Sequence, residues 1–192
     1  MKKRIFLLLF SSLSLMSYSQ NMQVAENISI PTKIVSQGDN LDLNGYALRE
    51  AKFYKLYFCS LYLSEKSTDP KVFLDQNKPV ALRFHIISSL VQRSRWENTI
   101  TQGFLNSTGG NITGLESRIE LIKNIVKSEY KDDDIFLFSY SPVKKTTIIY
   151  LNDIQVGSVE GEDFKKAFFG IYFGEKPWNQ VIKDGMLGIK KF

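Results

Sequence analysis

Phe53-Tyr54-Lys55-Leu56-Tyr57-Phe58-Cys59-Ser60-Leu61-Tyr62-Leu63 is an aromatic, apolar run that no glycine or proline interrupts. Aromatic side chains suit a pleated surface, and a strand apolar at consecutive positions must bury both of its faces. The stretch therefore reads as a central, largely buried strand. A central strand needs neighbours on both sides, so the flanking sequence has to supply a sheet.

Upstream, Leu41 to Leu48 reads as a short strand or strand pair around Gly45, after a turn at Gly38-Asp39-Asn40. Ile28 to Val35 alternates weakly and contains Pro31, the mark of an edge strand, and residues 20–27 are polar and read as a frayed lead-in. Downstream, a loop at Ser67 to Pro70 and a helical turn near Val72 to Gln76 lead to a strand from Pro79 to Ile87. From Ser89 the period changes: Leu90, Trp96, Ile100, Phe104 and Leu105 fall on one helical face, and Gly109-Gly110 stops it. Thr113-x-x-Glu116 has the form of a capping box for a second helix with Leu115, Ile119, Ile122 and Ile125 inward.

After a charged loop at Lys131 to Asp134, strands are expected at Ile135 to Tyr140, Thr146 to Leu151 and Gln155 to Val159. The last two are joined by Asn152-Asp153, a two-residue hairpin signal. An apolar helix follows from Glu162 to Tyr172, ending near Gly174, and Pro177 opens a short final helix ending near Gly188. Strands that mostly follow one another, with helices left to cover one face, give an α+β plan with a largely antiparallel sheet.

The N-terminus has its own logic. Met1-Lys2-Lys3-Arg4 is basic, Ile5 to Phe10 is apolar, and Ser17-Tyr18-Ser19 puts small side chains ahead of Gln20. This is the pattern of a cleaved signal peptide over residues 1–19, and it implies export to the periplasm. The apolar core is shorter than the ~20 residues that span a bilayer. No transmembrane segment is then expected in a mature chain of residues 20–192, read as one domain. The whole chain carries 25 Lys+Arg against 20 Asp+Glu; three bases and no acid lie in residues 1–19, which leaves 22 against 20. That near-neutral balance, without a basic cluster, speaks against a nucleic-acid partner.

Familiar catalytic signatures are missing. The sequence has no Gly-rich phosphate loop after a strand, no GxSxG elbow, no HExxH and no Cys/His cluster. The single cysteine, Cys59, lies in the apolar run and reads as a buried thiol, and the single histidine, His85, as a structural residue on a strand face. Asp132-Asp133-Asp134 lacks the spacing of a calcium loop and reads as a solvated turn. No metal and no cofactor are expected.

Two segments carry a resemblance. One is Leu43-Asn44-Gly45-Tyr46-Ala47-Leu48-Arg49-Glu50 with the aromatic run behind it. The other is Phe164-x-x-Ala167-Phe168-Phe169-Gly170-Ile171-Tyr172-Phe173-Gly174-Glu175-Lys176-Pro177, running on to Met186-Leu187-Gly188. With Trp96 and Gly103-Phe104 between them, they resemble the bacterial exported branch of the chalcone isomerase-like family over about residues 40–190. The resemblance implies an open-faced β-sandwich, a large antiparallel sheet with a layer of helices over one face, and a ligand cleft between sheet and helices. The arginine of the plant isomerases is matched by Arg49, and their strand threonine by Tyr57. The helix tyrosine and asparagine fall at Arg95 and Gln102, and the late-helix hydroxyl at Ile171.

Ring closure of a chalcone needs a cation to hold an oxyanion and hydroxyl donors to polarise a carbonyl. With most of the donors replaced, the resemblance implies a non-catalytic domain that binds a small hydrophobic carboxylate such as a fatty acid. Arg49 would fork onto the carboxylate. Arg49 has a second reading, an ion pair with Glu50 or Glu65, and Tyr57 can equally be core packing. Two further functions stay open: an intramolecular lyase or isomerase using Arg49, Tyr57 and Arg95, and an envelope interaction module that exposes aromatics such as Trp178.

Overall fold

The computed structural model describes residues 20–88, 93–126 and 131–191, for 93–96 the backbone alone. The strands are β1 Asn21–Ala25, β2 Ile28–Pro31, β3 Lys33–Ser36, β4 Asp39–Ala51, β5 Tyr54–Leu63, β6 Val80–Ile86, β7 Ile135–Ser141, β8 Thr146–Leu151 and β9 Ile154–Glu160. The helices are α1 Lys71–Leu74, α2 Arg93–Ser107, α3 Glu116–Ile125, α4 Glu162–Phe173 and α5 Gln180–Met186. The expected signal peptide, residues 1–19, lies outside the described residues.

β3 to β9 form one antiparallel sheet in sequence order. β5 sits between β4 and β6, and every residue from Leu56 to Leu63 is buried, as its composition demanded. Its alternate side chains go to two different cores. Tyr57, Cys59, Leu61 and Leu63 face the helices, together with Leu82 and Phe84 of β6, Phe136, Phe138 and Tyr140 of β7, and Phe164 and Phe168 of α4. Phe58 and Tyr62 face the other way, onto Ile30, Leu41, Leu43 and Ala81.

That outer core exists because residues 20–27 are not a frayed lead-in. Asn21 to Ala25 pair with Ile28 to Pro31 in a separate two-stranded hairpin, which lays Met22, Val24 and Ile28 against the sheet. The single edge strand expected over Ile28 to Val35 is thus two strands in two sheets, split after Pro31, which cannot donate to a continuing ladder. β4 is one strand of 13 residues with a bulge at Leu43/Gly45, where a short strand or pair was expected. Its first residues run past the end of β5, and the β3–β4 hairpin crosses the outer face until Gln37 Nε2 donates to the Ser139 carbonyl at 2.7 Å.

Two helix starts differ from expectation. The Thr113–Glu116 capping box does not form. Gly114, at φ +80°, turns the chain before the helix, and the Thr113 N–H is taken by Asn111 Oδ1 at 3.1 Å. The final helix begins at Gln180 rather than Pro177, because Asn179 supplies a side-chain cap to the Ile182 N–H at 3.0 Å. Asn152 and Asp153 do form the expected hairpin turn, both with positive φ, and Asn152 also accepts from the Ile135 N–H at 2.8 Å.

Candidate functional site

Antiparallel register places Arg49 opposite Tyr57 and Ala47 opposite Cys59. These positions share the face of Leu61, so the Arg49 and Tyr57 side chains lie under the helical layer. A bulge between Arg49 and Glu50 breaks the ladder beside the arginine. Arg49 Nη1 donates to the Glu50 carbonyl at 2.7 Å, and its guanidinium lies 5.0 Å from the centroid of the Trp178 ring. The guanidinium also bonds the Tyr57 phenol, and Tyr172 of α4 lies close enough to raise that phenol's pKa.

The layer is held over this point by close backbone packing. Gly45 meets the end of α5: a Cβ there would sit 2.4 Å from the Gly185 carbonyl. Asn44 Nδ2 donates to the Met186 carbonyl at 2.9 Å and to that of Ser67 at 3.0 Å, and Asn44 Oδ1 accepts from the Ser67 N–H at 2.8 Å. The Asn44-Gly45 and Met186-Leu187-Gly188 segments are therefore one interface. It fixes the chain between α4 and α5, where Trp178 N–H donates to the Ile171 carbonyl at 2.8 Å.

Electrostatics follow from burial. Burial, reinforced by Cys59 and Tyr172, pushes the Tyr57 phenol well above its ordinary value, with Arg49 pulling the other way. Burial raises the Cys59 thiol too, so neither group ionises near neutrality. The site is a guanidinium beside a neutral phenol. A phenol that accepts from a guanidinium still carries a proton to donate, so the pair offers an anion both charge and a hydroxyl.

The family model described as chalcone isomerase-like matches residues 22–188. The chain belongs to the chalcone isomerase-like family. A crystal structure of a fatty-acid binding protein from Arabidopsis thaliana is similar at a TM-score of 0.65 and 17% identity, covering 88% of this chain and 96% of that one. That likeness establishes the fold, a curled antiparallel sheet with helices packed on one side. No curated protein sequence matches.

Within this chalcone isomerase-like chain, the positions expected to line a cleft separate. Arg49 and Tyr57 come together. Ile171 is fully buried, but against Gly103 of α2, where an added Cβ would lie 2.5 Å from Ile171 Cγ2. Gln102 is exposed. The Arg95 side chain lies outside the described residues. Trp178, expected as a surface aromatic, is half-buried and packed over Arg49. No carboxylate among the described residues pairs with Arg49: Glu65 pairs with Lys78 at 3.7 Å, and Glu50 contributes its backbone carbonyl. Tyr172 is not among the site positions the resemblance matches; its signal is the single hydroxyl-bearing side chain of α4. His85 is the expected structural residue, its Nε2 3.3 Å from Asp133 Oδ1.

Proposed function

We propose that this protein is a non-catalytic carrier of a small hydrophobic acid, such as a fatty acid, and that Arg49 and Tyr57 hold the carboxylate while the helical layer houses the tail. One observation carries the reading. Arg49 has no acidic partner among the described residues, yet sits beneath the helices with a neutral phenol bonded to it. A guanidinium so placed is built to receive an anion from outside the chain. The fatty-acid binding protein of the same fold supports the ligand class. The pattern of Met1 to Ser19 supports export to the periplasm.

The hydroxyl set supports the non-catalytic reading. Ile171 is sealed against Gly103 and Gln102 points to solvent, so neither polarises a carbonyl beside Arg49. Native mass spectrometry of the purified protein should detect a bound acyl chain, and Arg49→Ala should lower the amount bound. A protein that never carries one, or an Arg49→Ala variant that carries as much, defeats the reading.

The adjacency of Arg49 and Tyr57 also suits an intramolecular lyase, with Arg49 holding an oxyanion and Tyr57 donating a proton. Flavanone formation from a chalcone above the spontaneous rate would establish that alternative; the expected result is none.

A further inference from the structure

The outer face of the sheet carries a groove of about 840 Å³, bounded by Pro31, the β3–β4 hairpin, β7 and the β8–β9 turn. This volume is within the ~300–1,000 Å³ of small-molecule sites. Ile34, Leu41, Ile135 and Leu137 give it apolar walls, and Asn40 stands at its lip. The hairpin forming one wall is anchored to β7 by the bond from Gln37 to the Ser139 carbonyl.

Arg83 of β6 also lines the groove. It is only 8% exposed, and its Nη1 is sealed from solvent with no hydrogen-bond partner among the described residues. Its ladder neighbours on this face are Ser60 and Leu137, neither of them an acid. The acids that line the groove do not neutralise it. Asp42 is engaged by Lys33 at 3.3 Å, and Asp153 attracts Arg83 only at longer range. Tyr62 donates instead to the Pro31 carbonyl at 3.0 Å, and His85, the next residue on this face, faces Asp133. A buried guanidinium left in this condition is strongly unfavourable, and proteins ordinarily give such a charge a partner or a ligand.

We propose that this groove is a second binding site, for a small organic acid whose carboxylate docks on Arg83 and whose apolar body lies along Ile34, Leu41 and Leu137. A carboxylate suits it better than a phosphate. A single guanidinium suits a single carboxylate, whereas among the described residues lining the groove a dianion would find no second unengaged cation and would face Asp42 and Asp153. The site lies on the opposite face from Arg49 and does not rest on the reading of that residue.

The test is NMR titration of the folded protein with dodecanoate isotope-labelled at its carboxyl carbon. Wild type should show a bound carboxylate signal that persists in Arg49→Ala. Arg83→Met should weaken that signal's site at least about tenfold, the cost of a charge-assisted hydrogen bond. Asn40→Glu, at the exposed lip, should weaken it severalfold by repulsion without touching the core, and decides the matter should Arg83→Met fail to fold. A signal lost with Arg49→Ala but indifferent to both groove variants overturns the groove proposal and leaves the first site standing. A signal lost only with the groove variants supports the groove and defeats the Arg49 reading. No bound signal in wild type overturns both.

Discussion

The two faces of the sheet are built from the same strands in different ways. The helix side is an aromatic interlock: Phe168 of α4 lies 4.8 Å from Phe138, 5.4 Å from Phe169 and 6.0 Å from Phe164, centroid to centroid. Its close approaches depend on glycine, Gly103 under Ile171 and Gly45 under the end of α5. The outer side is a small cluster under a two-stranded hairpin, beside an arginine whose Nη1 has no hydrogen-bond partner among the described residues. A layer tied by rings and backbone contacts relaxes little when atoms are removed, whereas a short hairpin can settle into a gap. The helical face should therefore carry the stability, and the outer face should tolerate change.

The largest expected effect tests that contrast directly. Phe168→Ala should cost about 4 kcal/mol in urea denaturation, and Ile30→Ala, equally buried on the outer face, about 2 kcal/mol. Equal losses would erase the distinction between the faces. Gly45→Ala should come next, at roughly 3 kcal/mol, since the added methyl meets backbone carbonyls rather than flexible side chains. It should also weaken acyl binding at Arg49, because α5 and Trp178 move together; a stable variant with full binding would separate that docking from the site.

The smallest effect is pH dependence on the outer face. Burial, aided by the positive charge of Arg83, holds His85 below its ordinary 6.5, against the pull of Asp133. The unfolded chain then binds a proton more readily than the folded one as pH drops through 6.5. Stability contributed by neutral His85 is present above that pH and is lost progressively below it. Denaturation midpoints at pH 7.5 and 5.5 should converge in His85→Gln relative to wild type. An unchanged difference would assign the acid sensitivity elsewhere.

Legibility followed the range of the forces involved. β5, β6, β7 and the β8–β9 hairpin could be read because burial on two faces and a two-residue turn leave local marks. β1 could not, since so short a segment makes a strand only by pairing with β2 over the outer face. The start of α3 was misread because Gly114 diverts the chain between Thr113 and the helix. In the site, Arg49 and Tyr57 were legible as residue types, but a position matched only through the family resemblance, such as Gln102, faces solvent.

By itself the sequence determined a central aromatic strand, an antiparallel sheet with helices on one side, a single buried thiol and an arginine at a strand end. These are consequences of local composition and period. Only the tertiary structure decided that Arg49 meets Tyr57 under Trp178, that Asn44-Gly45 clasps Met186 to Gly188, and that Arg83 is buried beside a groove with no partner for its Nη1 among the described residues. Those contacts join residues far apart in the chain. Their geometry depends on strand register and the curl of the sheet, which no local stretch encodes.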